Sequence, residues 1–328
     1  MKLVTFAIPC YNSENYMKHC LDTILKAKYD IEIIIINDGS KDNTKKIAES
    51  YRKKYPKIIK VINQENQGHG EGVNQGLKYA EGLYYKVVDS DDWVDVASLN
   101  KLLKQIKNMK EYPDMFIVNY VYEKEGKQKV INYKSVLPKN KIFTWNDVKK
   151  FKPDQNILMH SVVYKTEVLK NSGVMLPKHT FYVDNIFVYY PLPYINTMYY
   201  MDIDLYRYFI GRSDQSVNEK NMVKRIDQQI FITKEMTKFF DPYSFEKDRK
   251  KLSKYLIHYL SMMYTICFIL SALAKDKTKK EDLLEFLKNN NIRLYKHIKN
   301  HSLATLTRLP RFILIPGYRI VNKIYKFN

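Results

Sequence analysis

The sequence predicts an α/β fold, and the alternation of two patterns over the first 120 residues supports it. Short apolar runs typical of buried strands lie at Leu3–Ile8, Ile31–Ile36, Ile58–Ile62, Tyr84–Val88 and Met115–Val118. Stretches of helix length lie between them, at about residues 13–27, 41–55, 70–80 and 95–109. Because continuous apolar strands alternate with helices, we expect a parallel sheet covered by helices on both faces. Ser13 and Ser40 are the expected N-caps of the first two helices.

Composition is that of a globular protein. The chain has 328 residues, of which 45% are hydrophobic and 27% charged, enough for one large domain or two ordinary ones. Cys10, Cys20 and Cys267 form neither a disulfide framework nor a zinc pattern, so a reducing compartment is expected. The first apolar run is too short for a secretion signal, and we expect none.

The formal charge of +20 is concentrated in the C-terminal third. Residues 1–220 hold 33 basic and 26 acidic side chains, a net of +7, whereas residues 221–328 hold 22 and 9, a net of +13. Residues 286–328 contain nine Lys or Arg and no Asp or Glu. The charge shift predicts a domain over 1–220 followed by a basic helical domain over 221–328, with an anionic partner.

Polar, turn-prone segments follow four successive predicted strands, at residues 9–12, 37–42, 63–70 and 89–93. Any one of them is weak evidence, since an Asp-Gly-Ser segment is usually only a turn. The carboxyl ends of parallel strands, however, meet at one edge of the sheet, where α/β proteins bind ligands. We therefore expect the site at this edge.

The order of these segments resembles the family 2 inverting glycosyltransferases. The resemblance covers about residues 1–215 and rests on Pro-x-Tyr-Asn at 9–12, Asn-Asp-Gly-Ser-x-Asp at 37–42, Asn-x-Gly at 66–68 leading to 74–76, and Asp-Ser-Asp-Asp at 89–92. It implies the GT-A fold and a nucleotide-sugar donor, most simply a UDP-sugar. Gly68-x-Gly70-x-Gly72 is not a dinucleotide fingerprint, because it follows the third strand and has the wrong spacing.

The resemblance makes Asp89, Ser90 and Asp91 an Asp-x-Asp element that holds Mn²⁺ or Mg²⁺, hard cations that carboxylates bind well. We expect Asp91 to contact the metal directly. Asp89 would contact the metal, a metal-bound water or the ribose, and Asp92 would support the loop or contact the sugar. The alternative is an acidic loop that only caps the next helix near Asp95.

The same resemblance places ten residues at the donor: Pro9, Tyr11, Asn12, Asp38, Asn66, Gly68, Asp89, Ser90, Asp92 and Arg212. Asp38 would accept a hydrogen bond from the imide of the base, and Tyr11 would pack on the base above a floor shaped by Pro9. Asn66 and Gly68 would line the ribose-phosphate side. Arg212 would clamp the diphosphate, the alternative being a surface arginine.

Inverting transfer also needs a general base, and Asp184 matches the Asp of the family's Glu-Asp pair. Val183 replaces the usual Glu, a departure that weakens inferences about the acceptor. The alternative role for Asp184 is to cap the following helix. His160 lies where an acceptor-side residue often lies in the family, although a lone histidine is more often structural.

The C-terminal third contains two notable segments. Residues 255–274 lack Asp, Glu, Lys and Arg, and we expect a core or interfacial helix there more than a membrane span. Residues 302–328 combine basic and apolar side chains, as in helices that lie on an anionic membrane surface. The alternatives are packing on the same domain or on another subunit of a homo-oligomer. No nucleic-acid partner is expected, since no known motif for one is present.

The sequence therefore predicts a metal-dependent inverting glycosyltransferase, hexosyl or N-acetylhexosaminyl, at the inner face of a bacterial cell membrane. The resemblance implies a lipid-linked or polymeric surface glycan as the acceptor, such as capsule, exopolysaccharide or a teichoic-type polymer. One rival is an inactive sugar- or nucleotide-binding protein of the same fold. The other is a nucleotidyltransferase, which the lack of a basic Gly-rich loop after the first strand disfavours.

Overall fold

A computed structural model describes residues 1–124, 126–153, 155–210 and 218–326. The chain divides into two compact units. The first comprises Met1–Lys149 with Ile157–Ile210, and the second comprises Lys150–Asn156 with Gly211–Asn328.

The first unit contains a ten-stranded sheet and six α-helices. Its strands are β1 (Val4–Cys10), β2 (Ile31–Asp38), β3 (Ile59–Gln64), β4 (Tyr84–Val87), β5 (Trp93–Val94), β6 (Met115–Lys124), β7 (Lys127–Ile131), β8 (Ile142–Phe143), β9 (Val162–Lys165) and β10 (Met198–Phe209). Its helices are α1 (Met17–Ile24), α2 (Thr44–Lys54), α3 (His69–Tyr79), α4 (Val96–Asn108), α5 (Thr166–Ser172) and α6 (Asp184–Tyr189). Short 3₁₀ turns lie at Trp145–Asp147, Met159–Ser161 and Leu192–Tyr194.

The sheet has the order β3-β2-β1-β4-β9-β6-β10-β5, with β7 paired to β6 and β8 to β10. The first four strands are parallel, which confirms the prediction made from the alternation of strands and helices. Strand β9 breaks this pattern because it runs antiparallel to both of its neighbours, β4 and β6. The sheet is therefore mixed rather than parallel throughout, and the polar ends of β1 to β4 share one edge.

Helices cover both faces of the parallel strands. On one face, buried side chains of α1 and α4 pack with Phe6 and Ile8 of β1. On the other face, α3 lies so close to β1 that a Cβ on Gly76 would come within 2.7 Å of Ala7 Cβ. Burial on both faces explains why the strands are apolar at nearly every position.

The predicted N-caps are wrong. Helix α1 begins after Tyr16 and α2 after Asn43, neither with a side-chain cap bond. The backbone N–H of Asn12 instead donates to Ser40 Oγ, at 3.1 Å. Ser13 Oγ lies 2.7 Å from Ser90 Oγ. Both serine side chains therefore bond to neighbouring loops at the site edge. A side chain used in this way is not available to cap a helix.

The second unit is helical. It contains α7 (Glu219–Lys224), α8 (Ile226–Phe239), α9 (Lys250–Ala274), α10 (Thr278–Asn290), α11 (Ile292–His301), α12 (Arg311–Lys326) and 3₁₀ turns at Pro242–Phe245 and Leu303–Arg308. Among the described helices, α9 alone is long and apolar enough to cross a membrane, yet 56% of its apolar stretch is buried. Polar contacts tie it to α8, including one of 3.0 Å between Thr237 Oγ1 and Tyr264 Oη. This burial favours a core helix.

Candidate active site

Asp38, the last residue of β2, organises the loop after β3. Its Oδ1 accepts hydrogen bonds from Gln64 Nε2 at 2.7 Å and from the backbone N–H of Gln67 at 2.8 Å. Its Oδ2 accepts one from the N–H of Gly68, also at 2.8 Å. A carboxylate offers about four lone-pair positions, so Oδ2 keeps one position for a further donor. The predicted contact with a base stays a prediction.

Gly68 lies at the tightest point of that loop. Its φ is +88°, and a Cβ there would come within 2.9 Å of the backbone nitrogen of His179. The position therefore requires glycine on two counts, since an L side chain rarely adopts this φ and the space is already occupied. Asn66 helps to fix the loop by donating from Nδ2 to the carbonyl of Asp38, at 3.0 Å.

The segment after β1 leaves an aromatic ring exposed at the same edge. Tyr11 is 50% exposed, as a ring that stacks on a ligand would be. Asn12 has a φ of +49°, and its Oδ1 accepts a bond from the N–H of Lys41 at 2.9 Å. Pro9 lies within β1 and packs beneath α3, where a Cβ on Gly72 would come within 3.0 Å of Pro9 Cβ. These placements suit the predicted donor pocket but do not test it.

The acidic loop after β4 is tied to β10. Strand β5, just beyond the loop, pairs antiparallel with Tyr206 and Arg207. Asp92 is 1% exposed and accepts from Tyr206 Oη at 2.6 Å and from the N–H of Phe209 at 2.8 Å. Asp89 donates its N–H to Tyr206 Oη at 3.2 Å. One tyrosine hydroxyl thus joins both ends of the loop.

Asp92 differs from Asp89 in the direction of its pKa shift. Burial, followed by the charges of Asp91 and Asp89, raises the pKa of Asp92 well above its ordinary value. Both of its oxygens already accept hydrogen bonds. Asp92 is therefore suited to hold the loop, the first of the two roles that the sequence left open.

His69, for which no role was predicted from the sequence, pairs with Asp89. It is the first residue of α3, and its Nε2 lies 2.7 Å from Asp89 Oδ1. Burial lowers the pKa of His69, but Asp89 more than offsets this, so the pKa lies above the ordinary value. In turn, burial raises the pKa of Asp89 but His69 lowers it further, and the net shift is downward. Asp89 is thereby kept ionised.

His160 lies in the 3₁₀ turn before β9 and is 7% exposed. Its ring stacks on Tyr208, with centroids 4.3 Å apart. Burial lowers the pKa of His160 to about 4, so the imidazole is neutral at physiological pH. Its Nδ1 is buried and has no hydrogen-bond partner among the described residues. A buried, neutral imidazole nitrogen without a partner can accept a hydrogen bond or coordinate a metal ion.

A divalent metal fits this edge of the sheet. Ligand atoms of Asp89, Asp92 and His160 lie within 4.8 Å of one another. An ionised Asp89 and the neutral imidazole of His160 are the two donors best prepared to bind, because Asp92 already serves the loop. Asp91 is outside this group, and its predicted metal contact stays a prediction.

Beneath the loop lies a fully buried lysine, Lys86 of β4. Its Nζ donates to the carbonyls of His160 at 2.8 Å and Val162 at 3.3 Å. Burial lowers the pKa of Lys86 to about 7. Lys86 fixes the backbone that carries His160. This contact could not be predicted from local sequence, since the two residues are 74 positions apart along the chain.

Asp184 is the first residue of α6 and is partly buried. Burial raises its pKa to about 6, with a further rise from Asp89 and an opposing effect from His69. These two charges act on Asp184, so the predicted base shares its electrostatic environment with the acidic loop. The preceding Tyr182 has a φ of +66°, a conformation that non-glycine residues adopt mainly where surroundings demand it.

The two remaining predicted positions are Val183 and Arg212. Val183 is 2% exposed, and a Cβ on Gly70 of α3 would come within 3.5 Å of Val183 Cγ2. The family's acidic residue is thus replaced by a packed apolar one. Arg212, the predicted diphosphate clamp, lies outside the described residues.

The carboxylates at the strand ends and the candidate base near them agree with the resemblance to glycosyltransferases that the sequence motifs indicate. The sequence model of glycosyl transferase family 2 matches residues 5–169, about half of the chain. The chain therefore belongs to glycosyltransferase family 2.

Curated relatives resemble only part of the chain. EpsH of Bacillus subtilis is 38% identical over 130 residues, which are 39% of this chain and 37% of EpsH. The glycosyltransferase GlyA of Streptococcus pneumoniae is 37% identical over 118 residues, which are 36% of this chain and 16% of GlyA. The matched segment is thus well under two thirds of either relative.

Solved structures share the fold over nearly the whole chain. TarS 1–349 of S. aureus, in complex with UDP-GlcNAc, superposes with a TM-score of 0.68 at 22% identity, covering 99% of this chain and 92% of that one. The mannosyltransferase PcManGT of Pyrobaculum calidifontis, in complex with GDP-Man and Mn²⁺, gives 0.52 at 14% identity, covering 99% and 88%. The predicted GT-A fold is confirmed.

Proposed function

We propose that this chain is an inverting glycosyltransferase that transfers a hexosyl or N-acetylhexosaminyl group from a nucleotide sugar to a hydroxyl of a glycan. The proposal rests on Asp184. Burial raises the pKa of this carboxyl to about 6, which suits a general base near neutral pH. Its charge interacts with that of Asp89 in the acidic loop. A single displacement requires a base that takes the proton of the acceptor hydroxyl, and Asp184 supplies that base close to the carboxylates of the donor side.

In the proposed reaction, a carboxylate oxygen of Asp184 takes the proton of the acceptor hydroxyl as its oxygen attacks the anomeric carbon. The new glycosidic bond forms as the bond to the nucleoside diphosphate breaks, and the sugar inverts. Asp184 is then protonated and returns the proton to solvent. A group with a pKa near 6 can both take and release this proton at neutral pH.

The chain's own residues prepare the donor side. Asp89, kept ionised by His69, and the neutral His160 would hold Mn²⁺ or Mg²⁺, with Asp91 as a further predicted ligand. When bound, such an ion would neutralise charge on the departing diphosphate. Tyr206 and Asp92 would keep the loop in place during this step.

A UDP-sugar is the proposed donor. TarS, which shares the fold, has been solved with UDP-GlcNAc and with UDP. The free lone pair of Asp38 Oδ2 and the exposed ring of Tyr11 support binding of a base at the end of β2. PcManGT has been solved with GDP-Man. Turnover of a GDP-sugar and not of a UDP-sugar would therefore correct this part of the proposal.

We further propose a bacterial cell-surface glycan, lipid-linked or polymeric, as the acceptor. Because nucleotide sugars are made in the cytosol, the reaction would take place at the cytoplasmic face of the membrane. The family resemblance supports this class of acceptor, and Val183 in place of the usual Glu leaves the individual acceptor open.

The proposal is tested by incubating the full chain with a panel of UDP- and GDP-sugars and measuring released nucleoside diphosphate with and without EDTA. We expect release from one or a few UDP-sugars, lost with EDTA and restored by Mn²⁺ or Mg²⁺. Binding of a donor without turnover would favour the inactive binding protein. Release of pyrophosphate from a nucleoside triphosphate would favour the nucleotidyltransferase.

A further inference from the structure

An exposed apolar surface lies at the C-terminal end of the second unit. Of the fifteen large apolar side chains that are exposed among the described residues, six lie between residues 303 and 320. They are Leu303, Leu306, Leu309, Phe312, Ile313 and Ile320. We call these six side chains the apolar surface. Phe312, at 77%, is the most exposed of the fifteen.

The segments that carry this surface are anchored from their other side. Ala304 and Thr307 are buried in the 3₁₀ turn, and Lys280 Nζ donates to the carbonyl of Thr307 at 2.8 Å. In α12, Leu314 and Ile315 are each 8% exposed. The six exposed side chains therefore lie on the outer side of packed segments. Large apolar side chains exposed together in one short stretch of chain point to an interaction site.

The segment that carries the apolar surface is basic and contains no acidic side chain. Residues 286–328 contain nine Lys or Arg and no Asp or Glu. Arg308 donates to Asn300 Oδ1 and to the carbonyl of Lys299, and Arg311 donates to the carbonyl of Ala272. These acceptors are neutral, so the two guanidinium charges stay uncompensated by these bonds. Arg319 differs, since it pairs with Glu219 at 3.1 Å.

We propose that the apolar surface binds an anionic lipid bilayer, with its side chains in the interface and Arg308 and Arg311 at the headgroups. A bilayer offers both an apolar layer and negative charge, which match the two features found together here. A second copy of the chain fits less well, because a symmetric pair would bring two acid-free basic segments together. Nucleic acid would match the charge but would leave Phe312 and its neighbours in water.

This inference adds the binding residues and the lipid class to the proposed enzyme. Only the choice of the inner membrane face rests on the proposed function. Lipid binding is measured without turnover, so failure of the one proposal does not decide the other.

The test is flotation of the full chain with vesicles of phosphatidylcholine alone or mixed with phosphatidylglycerol. We expect wild type to float with the mixed vesicles and to be released by high salt, because salt screens charge. The double variant Leu306→Asp/Phe312→Asp should bind at least about tenfold more weakly, since it places two carboxylates in the interface. The matched control is Met175→Asp/Phe231→Asp, at two exposed apolar positions outside the surface, and it should bind as wild type does.

Equal flotation of the double variant and the control would overturn the proposal, as would equal binding to the two kinds of vesicle. Light scattering adds an independent outcome. A wild-type dimer that the double variant dissociates, without flotation of either, would identify the surface as an interface between copies and overturn lipid binding. Circular dichroism establishes folding, and Phe312→Ser replaces the double variant if that does not fold.

Discussion

His69 Nε2 lies 2.7 Å from Asp89 Oδ1, which joins the start of α3 to the loop after β4. The two residues come from different strand-to-helix connections of the parallel sheet. Because the pair raises the pKa of His69 and lowers that of Asp89, each residue stabilises the charged form of the other. The pair explains how a partly buried carboxylate is kept ionised at the candidate metal site.

Replacing His69 is expected to weaken metal-dependent activity. In His69→Gln the charge that holds Asp89 ionised is lost, and a loss of about 10- to 100-fold in metal affinity or activity is typical of such changes. Titration with Mn²⁺, read by binding and by turnover, measures the effect. The control is His301→Gln, at an exposed residue of α11. Unchanged metal affinity in His69→Gln would contradict the role given to the pair.

Activity is expected to rise with pH through about 6 and then to level off. The pKa of Asp184 is raised to about 6, and only its deprotonated form can accept the proton of the acceptor. A profile of kcat/KM against pH, measured at saturating metal, reports this pKa. An activity that stayed flat from pH 5 to 8 would argue against Asp184 as the base.

Asp184→Asn is expected to lose activity and gain stability. Loss of a general base lowers turnover by about 10²- to 10⁴-fold. Because the pKa of Asp184 is raised on folding, its protonated form favours the folded state, and this contribution is lost as pH rises through about 6. Above that pH the uncharged amide removes the cost of a partly buried carboxylate. Thermal unfolding at pH 7.5 should show a higher Tm than wild type, and a lower Tm would contradict the account.

Gly68→Ala is expected to destabilise the first unit more than Gly173→Ala does. Gly173 lies in the left-handed helical region, which costs an L residue about 1–2 kcal/mol. Gly68 has φ +88° and ψ 166°, a region that is essentially confined to glycine. At Gly68 the new methyl would also come within 2.9 Å of the His179 backbone, whereas at Gly173 it would meet nothing within 4 Å. Urea unfolding of the two variants measures the difference. Equal losses of unfolding free energy in the two variants would show that the loop around Gly68 rearranges at no energetic cost.

Tyr206→Phe is expected to cost both stability and turnover. The change removes the bond to buried Asp92 and the acceptor for the N–H of Asp89. An unsatisfied buried group of this kind costs about 1–3 kcal/mol. Tyr164→Phe, which removes one bond from a buried tyrosine to the carbonyl of Val188, is the matched control and should leave turnover unchanged. Full turnover in Tyr206→Phe would contradict the loop's dependence on this hydroxyl.

The parallel strands could be predicted from the sequence because burial on both faces leaves an apolar run, as in Ile31–Ile36. The direction of β9 could not, since an apolar run looks the same whichever way the strand runs. Helix starts were also missed, because Ser13 and Ser40 have the residue type of N-caps but bond to neighbouring loops. Local composition identifies such a residue without identifying its partner.

In the candidate site, too, the sequence identified residues but not their partners. Asp38, Asp89 and Asp184 could be found because motifs mark them. His69 lies 20 residues from Asp89, and Tyr206 lies 114 residues from Asp92. These contacts exist only once the sheet has formed. The available signal for His69 was its place directly after the Asn-x-Gly segment, in the polar stretch 63–70 at the same sheet edge.

The central claim, an inverting transfer with Asp184 as the base, is tested most directly by the configuration of the product. Proton NMR of the sugar transferred from an α-linked UDP-sugar gives the anomeric coupling of the new bond. We predict a β-linked product from wild type and almost none from Asp184→Asn. An α-linked product, or the same yield from both proteins, would contradict the account.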